Sequence, residues 1–165
     1  MTALRKLSRL AAAAALTALV TGCAIFTPVT PGMTREEAIA HAGRPSAIVP
    51  IPSGTRLQYS RQPAGQSALM VDLDSRDRVV AVREMMQLAE FNKIQIDRWT
   101  RADVEREFGR PAKVDRVYSW TGDIMTYRWK DGSTDMLYHV YLDPQQVVRR
   151  VGQAMDIPIN LFEDR

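Results

Sequence analysis

The side chains that could carry chemistry are few and scattered. The 165-residue chain has one cysteine, Cys23, and two histidines, His41 and His139. A catalytic site needs a nucleophile, a base and a group to orient them. Neither histidine has a second histidine or a cysteine at ligand spacing, and there is no serine-centred elbow or phosphate-cradling glycine loop. A lone cysteine excludes an internal disulfide and any thiolate-clustered metal site. Asp72 and Asp74 alternate as on a strand, but only Asp143 recurs further along, which suits a turn cap better than a metal pair. These residues predict a non-enzymatic protein with no metal and no cofactor.

Cys23 itself sits in an informative place. Arg5, Lys6 and Arg9 open the chain, and Leu10 to Val20 is an apolar run broken only by Thr17. Such a run is too short to span a bilayer as a helix, which takes about 20 residues, and matches the core of a signal peptide. Val20-Thr21-Gly22-Cys23 then resembles the lipobox of bacterial lipoproteins. That resemblance implies cleavage before Cys23, acylation of its thiol and amine, and attachment to a lipid bilayer. Ala24, in place of an aspartate, implies the outer membrane with the chain facing the periplasm. Ordinary signal-peptidase cleavage after Ala24, with Cys23 incidental, is the competing reading.

The leader also explains the charge. Of 22 basic residues, three lie in residues 1–22 with no acid among them, so the remaining 19 face 19 acidic residues. A nucleic-acid footprint needs a basic patch in the mature chain, and there is no such run.

The elements that position these residues are written twice. Thr34-Arg35 with Gly43-Arg44-Pro45 returns as Thr100-Arg101 with Gly109-Arg110-Pro111; Gly54 and Tyr59 return as Gly122 and Tyr127. Val71, Leu73, Asp74, Val79 and Val82 return as Val140, Leu142, Asp143, Val148 and Val151. Each copy opens with a capping box, Thr34 with Glu37 and Thr100 with Asp103, and its helix ends at Gly43 or Gly109 before a proline. Met33 with Ala38, and Trp99 with Val104, read as hydrophobic staples. Alternation over Leu57–Ser60 and Met125–Arg128, then Leu69–Leu73 and Tyr138–Leu142, then Val79–Arg83 and Val147–Val151, predicts strands. The expected fold is α+β: two tandem repeats, each a short helix (or helix pair) packed on a three-stranded antiparallel meander whose other face is free. The divisions are a signal peptide at 1–22, a lipidated tether at 23–31, repeats at 32–90 and 91–155, and a tail at 156–165.

Gly32-Met33-Thr34, the short helix and Gly43-Arg44-Pro45 resemble the opening of the SmpA/OmlA (BamE-like) lipoprotein family. The second copy is similar in Phe91, Ile94, Thr100 and Gly109-Arg110-Pro111, and departs by having Arg98-Trp99 in place of Gly-Met. The likeness covers nearly all of residues 26–155. It implies an outer-membrane lipoprotein of a family best known for its part in β-barrel assembly, and a fold shared with the tandem-unit β-lactamase inhibitory proteins. The family's usual member has one such unit, and the inhibitory proteins are disulfide-stapled.

The two copies differ most in aromatic residues. Leu137, His139 and Tyr141 stand where the first copy has Ala68, Met70 and Asp72; Tyr118, Trp120 and Trp129 stand where it has Pro50, Pro52 and Arg61. Tyr118, Trp120, Trp129, His139 and Tyr141 are therefore the candidate binding face. The competing reading is that these rings fill the second core or the space between the units. The expected function is a structural or assembly role, docking a periplasmic or outer-membrane protein partner. The alternative is an inhibitor-like binder of a periplasmic enzyme.

Overall fold

The computed structural model describes residues 28–157. The leader, Cys23, the first part of the tether and the end of the tail lie outside the described residues. The elements are α1 (Arg35–Ala42), β1 (Ala47–Ile51), β2 (Gly54–Ser60), β3 (Ala68–Leu73), β4 (Val79–Glu84), α2 (Leu88–Phe91), α3 (Arg101–Phe108), β5 (Lys113–Val117), β6 (Trp120–Asp131), β7 (Thr134–Leu142) and β8 (Val148–Met155). They form two antiparallel four-stranded sheets, β1-β2-β3-β4 and β5-β6-β7-β8.

Both capping boxes form. Thr34 accepts from the Glu37 amide while Glu37 accepts from the Thr34 amide, and Thr100 and Asp103 do the same. Gly43 and Gly109 end the helices at positive φ, 80° and 76°.

The expected three-stranded meander is corrected to four strands per sheet. β1 was missed because Pro50 interrupts its apolar run; as an edge strand it needs no ladder hydrogen bond on its outer side, so proline is tolerated there. β5 was missed because Lys113, Asp115 and Arg116 break up any alternation, and this strand is also an edge. Among the described residues each unit holds one two-turn helix, α1 or α3, and the four-residue α2 straddles the boundary between residues 90 and 91 ahead of α3.

The free outer face is also corrected for the first unit. Leu57, Val71, Leu73 and Val79 face α1 and pack with Ala38 in a small core. On the opposite face Ala68 and Met70 belong to the larger core, with Val104 and Phe108 of α3 and with Met125, Tyr127, Val140 and Leu142 of the second sheet. The layers therefore run α1, first sheet, α3, second sheet.

Polar side chains fix that stacking. Arg56, 3% exposed, forks onto Asp72 at 2.5 and 3.0 Å, and its Nη1 donates to the Arg106 carbonyl and to Glu107. Gln58 Nε2 donates to the Glu105 and Arg106 carbonyls, both at 3.0 Å. Two β2 side chains thus satisfy the Arg106 carbonyl that the end of α3 leaves open, and Gln58 adds a second donor to the Glu105 carbonyl, which also accepts from the Gly109 amide. Gln62 brackets Arg128 of β6, its amide nitrogen donating to the carbonyl and its oxygen accepting from the backbone N–H, as a strand neighbour would. Asp74 does cap its turn, accepting from the Arg76 and Arg78 amides. Asp72 does not: its partners are Arg56 and Arg83.

Candidate binding face and an adjoining cavity

Strand parity decides which aromatic residues meet. In β6, Met125, Tyr127 and Trp129 point to α3, and Ile124, Thr126 and Arg128 point away. Opposite them in β7, Tyr138 and Val140 point inward, and Leu137, His139 and Tyr141 point away. Trp129 is 2% exposed in the core, 6.1 Å from Phe91 ring to ring, so its assignment to the binding face is corrected. Its parity with Tyr127 carried that signal. Tyr118 is fully exposed in the β5–β6 turn, apart from the sheet face.

Trp120, His139 and Tyr141 do come together. Trp120 packs edge-on to Tyr141 with centroids 5.2 Å apart, and its Nε1 donates to the Leu142 carbonyl at 2.8 Å. His139 lies 6.3 Å from Tyr141, and its Nδ1 is 3.0 Å from Thr126 Oγ1. Arg150 of β8, which the sequence reading did not single out, lies over Tyr141 at 3.8 Å and over Trp120 at 5.3 Å. The pairing of Arg150 with Tyr141 follows a register shift between Tyr141 and Leu142, so residue spacing alone did not reveal it. Burial, and then the Lys113 cation, hold the His139 pKa below its usual value, against an opposing pull from Asp115. His139 is therefore neutral at neutral pH and serves as a hydrogen-bonding partner of Thr126.

The face is amphipathic: two half-buried rings stacked on a guanidinium, with Thr126 and Ile124 buried beneath. A cation held over rings contributes about 0.5–2 kcal/mol and keeps both groups ordered before any partner arrives. Such an arrangement is suited to recognition. Among the described residues there is no group of three or more metal-ligating side chains, and no helix is long and apolar enough to cross a membrane.

A separate cavity of about 710 Å³ opens on the first unit between α1 and the first sheet, lined by Pro28, Val29, Ala42, Tyr59, Leu69 and Val82 among others. Tyr59 Oη is buried without a hydrogen-bond partner, whereas its counterpart Tyr127 donates to the Gly109 carbonyl at 2.8 Å.

No family model and no curated protein matches the chain. Among solved structures, a DUF4309 family protein (YjgB) from Bacillus subtilis is similar over 74% of this chain and 78% of its own, at 16% identity and a TM-score of 0.30. A likeness that slight informs neither fold nor function.

Proposed function

We propose that the chain is an outer-membrane lipoprotein of the SmpA/OmlA kind, acylated on Cys23, that binds a protein partner on the open face of its second sheet and performs no catalysis. The leader and lipobox-like Val20–Cys23 support the anchor, and acylation by more than one chain would make it stable. The observation that carries the binding role is an asymmetry between equivalent faces. Ala68, Met70 and Asp72 of the first unit are buried, Ala68 and Met70 in the core shared with α3. Leu137, His139 and Tyr141 of the second unit remain half-exposed beside Trp120 and Arg150. Aromatic residues and arginine are the side chains most enriched among binding hot spots.

The inhibitor-like reading rests on the tandem arrangement and is further favoured by the fully exposed Tyr118 at the tip of the β5–β6 hairpin, which suits insertion into an enzyme cleft. Photo-crosslinking in cells from position 141, with and without globomycin to block lipobox processing, tests the proposal. Recovery of barrel-assembly subunits is the expected result, reduced when globomycin makes the uncleaved precursor accumulate. A single soluble hydrolase would favour the inhibitor-like reading. Adducts that persist in Trp120→Ala at the wild-type yield would refute this face as the docking surface.

A further inference from the structure

The two units are alike enough that a feature of one shows what the other lacks. In the second unit Phe91, fully buried, stacks on Tyr138 at 4.2 Å and Phe108 at 4.9 Å, and lies near Tyr127 and Trp129 at 6.2 and 6.1 Å. The repeat relates these four neighbours to Leu69, Ala42, Tyr59 and Arg61, all of which line the first unit's cavity. Val151 of the second unit corresponds to Val82, which also lines it. The cavity is the first unit's version of the Phe91 site.

Backbone geometry fixes the register needed to find its occupant. Gly32 and Asp97 both have positive φ, 93° and 63°. Each donates its amide to an equivalent carbonyl, Val79 or Val148, at 2.8 Å. Asp97 is therefore the counterpart of Gly32, and one extra residue, Arg98, precedes Trp99 in the second unit. Counting back from this pair sets Val29 opposite Ile94 and Phe26 opposite Phe91. Val29 and Ile94 bear the register out, since each packs against its own unit's core.

We propose that the cavity between α1 and the first sheet is the seat of the Phe26 side chain. Pro28 already lines it, and two residues of chain reach about 7 Å, enough to bring Phe26 into it. Reduction of Phe108 to Ala42 and of Tyr138 to Leu69 leaves room for the ring and the chain that carries it. The unpartnered Tyr59 Oη favours a peptide occupant over a hydrocarbon one, because a backbone carbonyl would accept its hydrogen bond. One consequence rests on the acylation proposed above: Cys23, three residues from Phe26, would tie the first unit's cavity edge within about 10 Å of the lipid and leave no free tether.

The test uses the full chain in its own envelope, with the photoreactive residue p-benzoyl-phenylalanine in place of Phe26. Irradiation and mass spectrometry should find an intramolecular adduct to Leu69, Val82 or Tyr59. Adducts only with lipid or with other proteins, or no adduct, would overturn the proposal. The same adduct is expected in a Cys23→Ser chain, which separates this inference from the acylation. A second variant keeps the question open to measurement if labelling disturbs the site. Phe26→Ala should lower the melting temperature of the detergent-solubilised chain by about 3–6 °C, and Thr27→Ala should leave it unchanged. Equal melting temperatures for the two would count against the seat.

Discussion

Replacing Arg56 by methionine should weaken the join between the units more than any single surface change. The Arg56 side chain is 4% exposed and its partner Asp72 is 8% exposed. Removing one member of a buried ion pair costs about 3–5 kcal/mol, because the other charge stays buried without its partner. Two contacts moderate the loss. Arg83 still reaches Asp72 at 2.7 Å, and Gln58 still holds the Arg106 carbonyl at 3.0 Å. The expected cost is therefore at the low end, about 3 kcal/mol out of a total of about 5–15 kcal/mol. With a urea slope of about 1–3 kcal/mol per molar, the midpoint should fall by about 1–3 M. All three tryptophans, Trp99, Trp120 and Trp129, lie in the second unit, so their fluorescence follows that unit while far-UV circular dichroism follows both. Coincident transitions are expected for the parent chain, with the dichroism moving ahead of the fluorescence in Arg56→Met. The double change Arg56→Met with Asp72→Leu should recover most of the loss, since Glu107 and Arg83 can turn to solvent. An Arg56→Met chain within about 0.5 kcal/mol of the parent, or a double variant no more stable than the single, would refute the reasoning.

Two further outcomes follow from local geometry. Gly122 has φ 137°, and an added Cβ would meet the Leu142 carbonyl oxygen at 2.0 Å, so Gly122→Ala should cost about 2–4 kcal/mol in thermal or urea unfolding. Gly132→Ala, which meets nothing within 4 Å, should cost clearly less. Burial alone would raise the Asp72 pKa, but the Arg56 and Arg83 guanidinium groups hold it below the usual carboxylate value. A folded-state pKa depressed in this way gives stability that is present above an unfolded value of roughly 3.9 and is lost as pH falls through the folded one. Urea midpoints taken across the acid range should therefore fall less steeply for Asp72→Asn than for the parent; equal slopes would remove Asp72 from the account.

The repeat was legible because matching residues keep their order in both copies, and the capping boxes and six predicted strands because each depends on neighbours close in sequence. Thr34 and Glu37 are three residues apart, and the core face of β7 is spelled out by Tyr138, Val140 and Leu142. Edge strands were less legible: Pro50 and the charges of β5 are allowed because one side of an edge strand has no ladder to complete. Stacking of one unit on the other was illegible for a different reason. Arg56 and Gln58 look like ordinary outward-facing polar residues, and their inter-unit partners lie at the end of α3, about fifty residues away in sequence, while Asp72 acts through its pairing with Arg56. The binding face was half legible. Parity separates Trp129 from His139 and Tyr141, but Arg150 reaches Tyr141 only through a register shift that sequence spacing does not carry.

That first interface also constrains what the open face can bind. Arg56 and Gln58 supply the donors that receive the carbonyls at the end of α3. Their counterparts in the second sheet are Ile124 and Thr126, and Thr126 is already engaged with His139. A helix terminus docking there as α3 docks on the first sheet would leave its carbonyls without donors, at a cost of about 1–3 kcal/mol for each buried group. The open face therefore does not select another copy of the helix that covers its twin. It offers the edges of Trp120 and Tyr141 and one arginine whose charge is already aligned above them. The partner that fits this chemistry presents an apolar or aromatic side chain for the rings with a carboxylate nearby for Arg150, and needs no backbone carbonyls satisfied by this sheet.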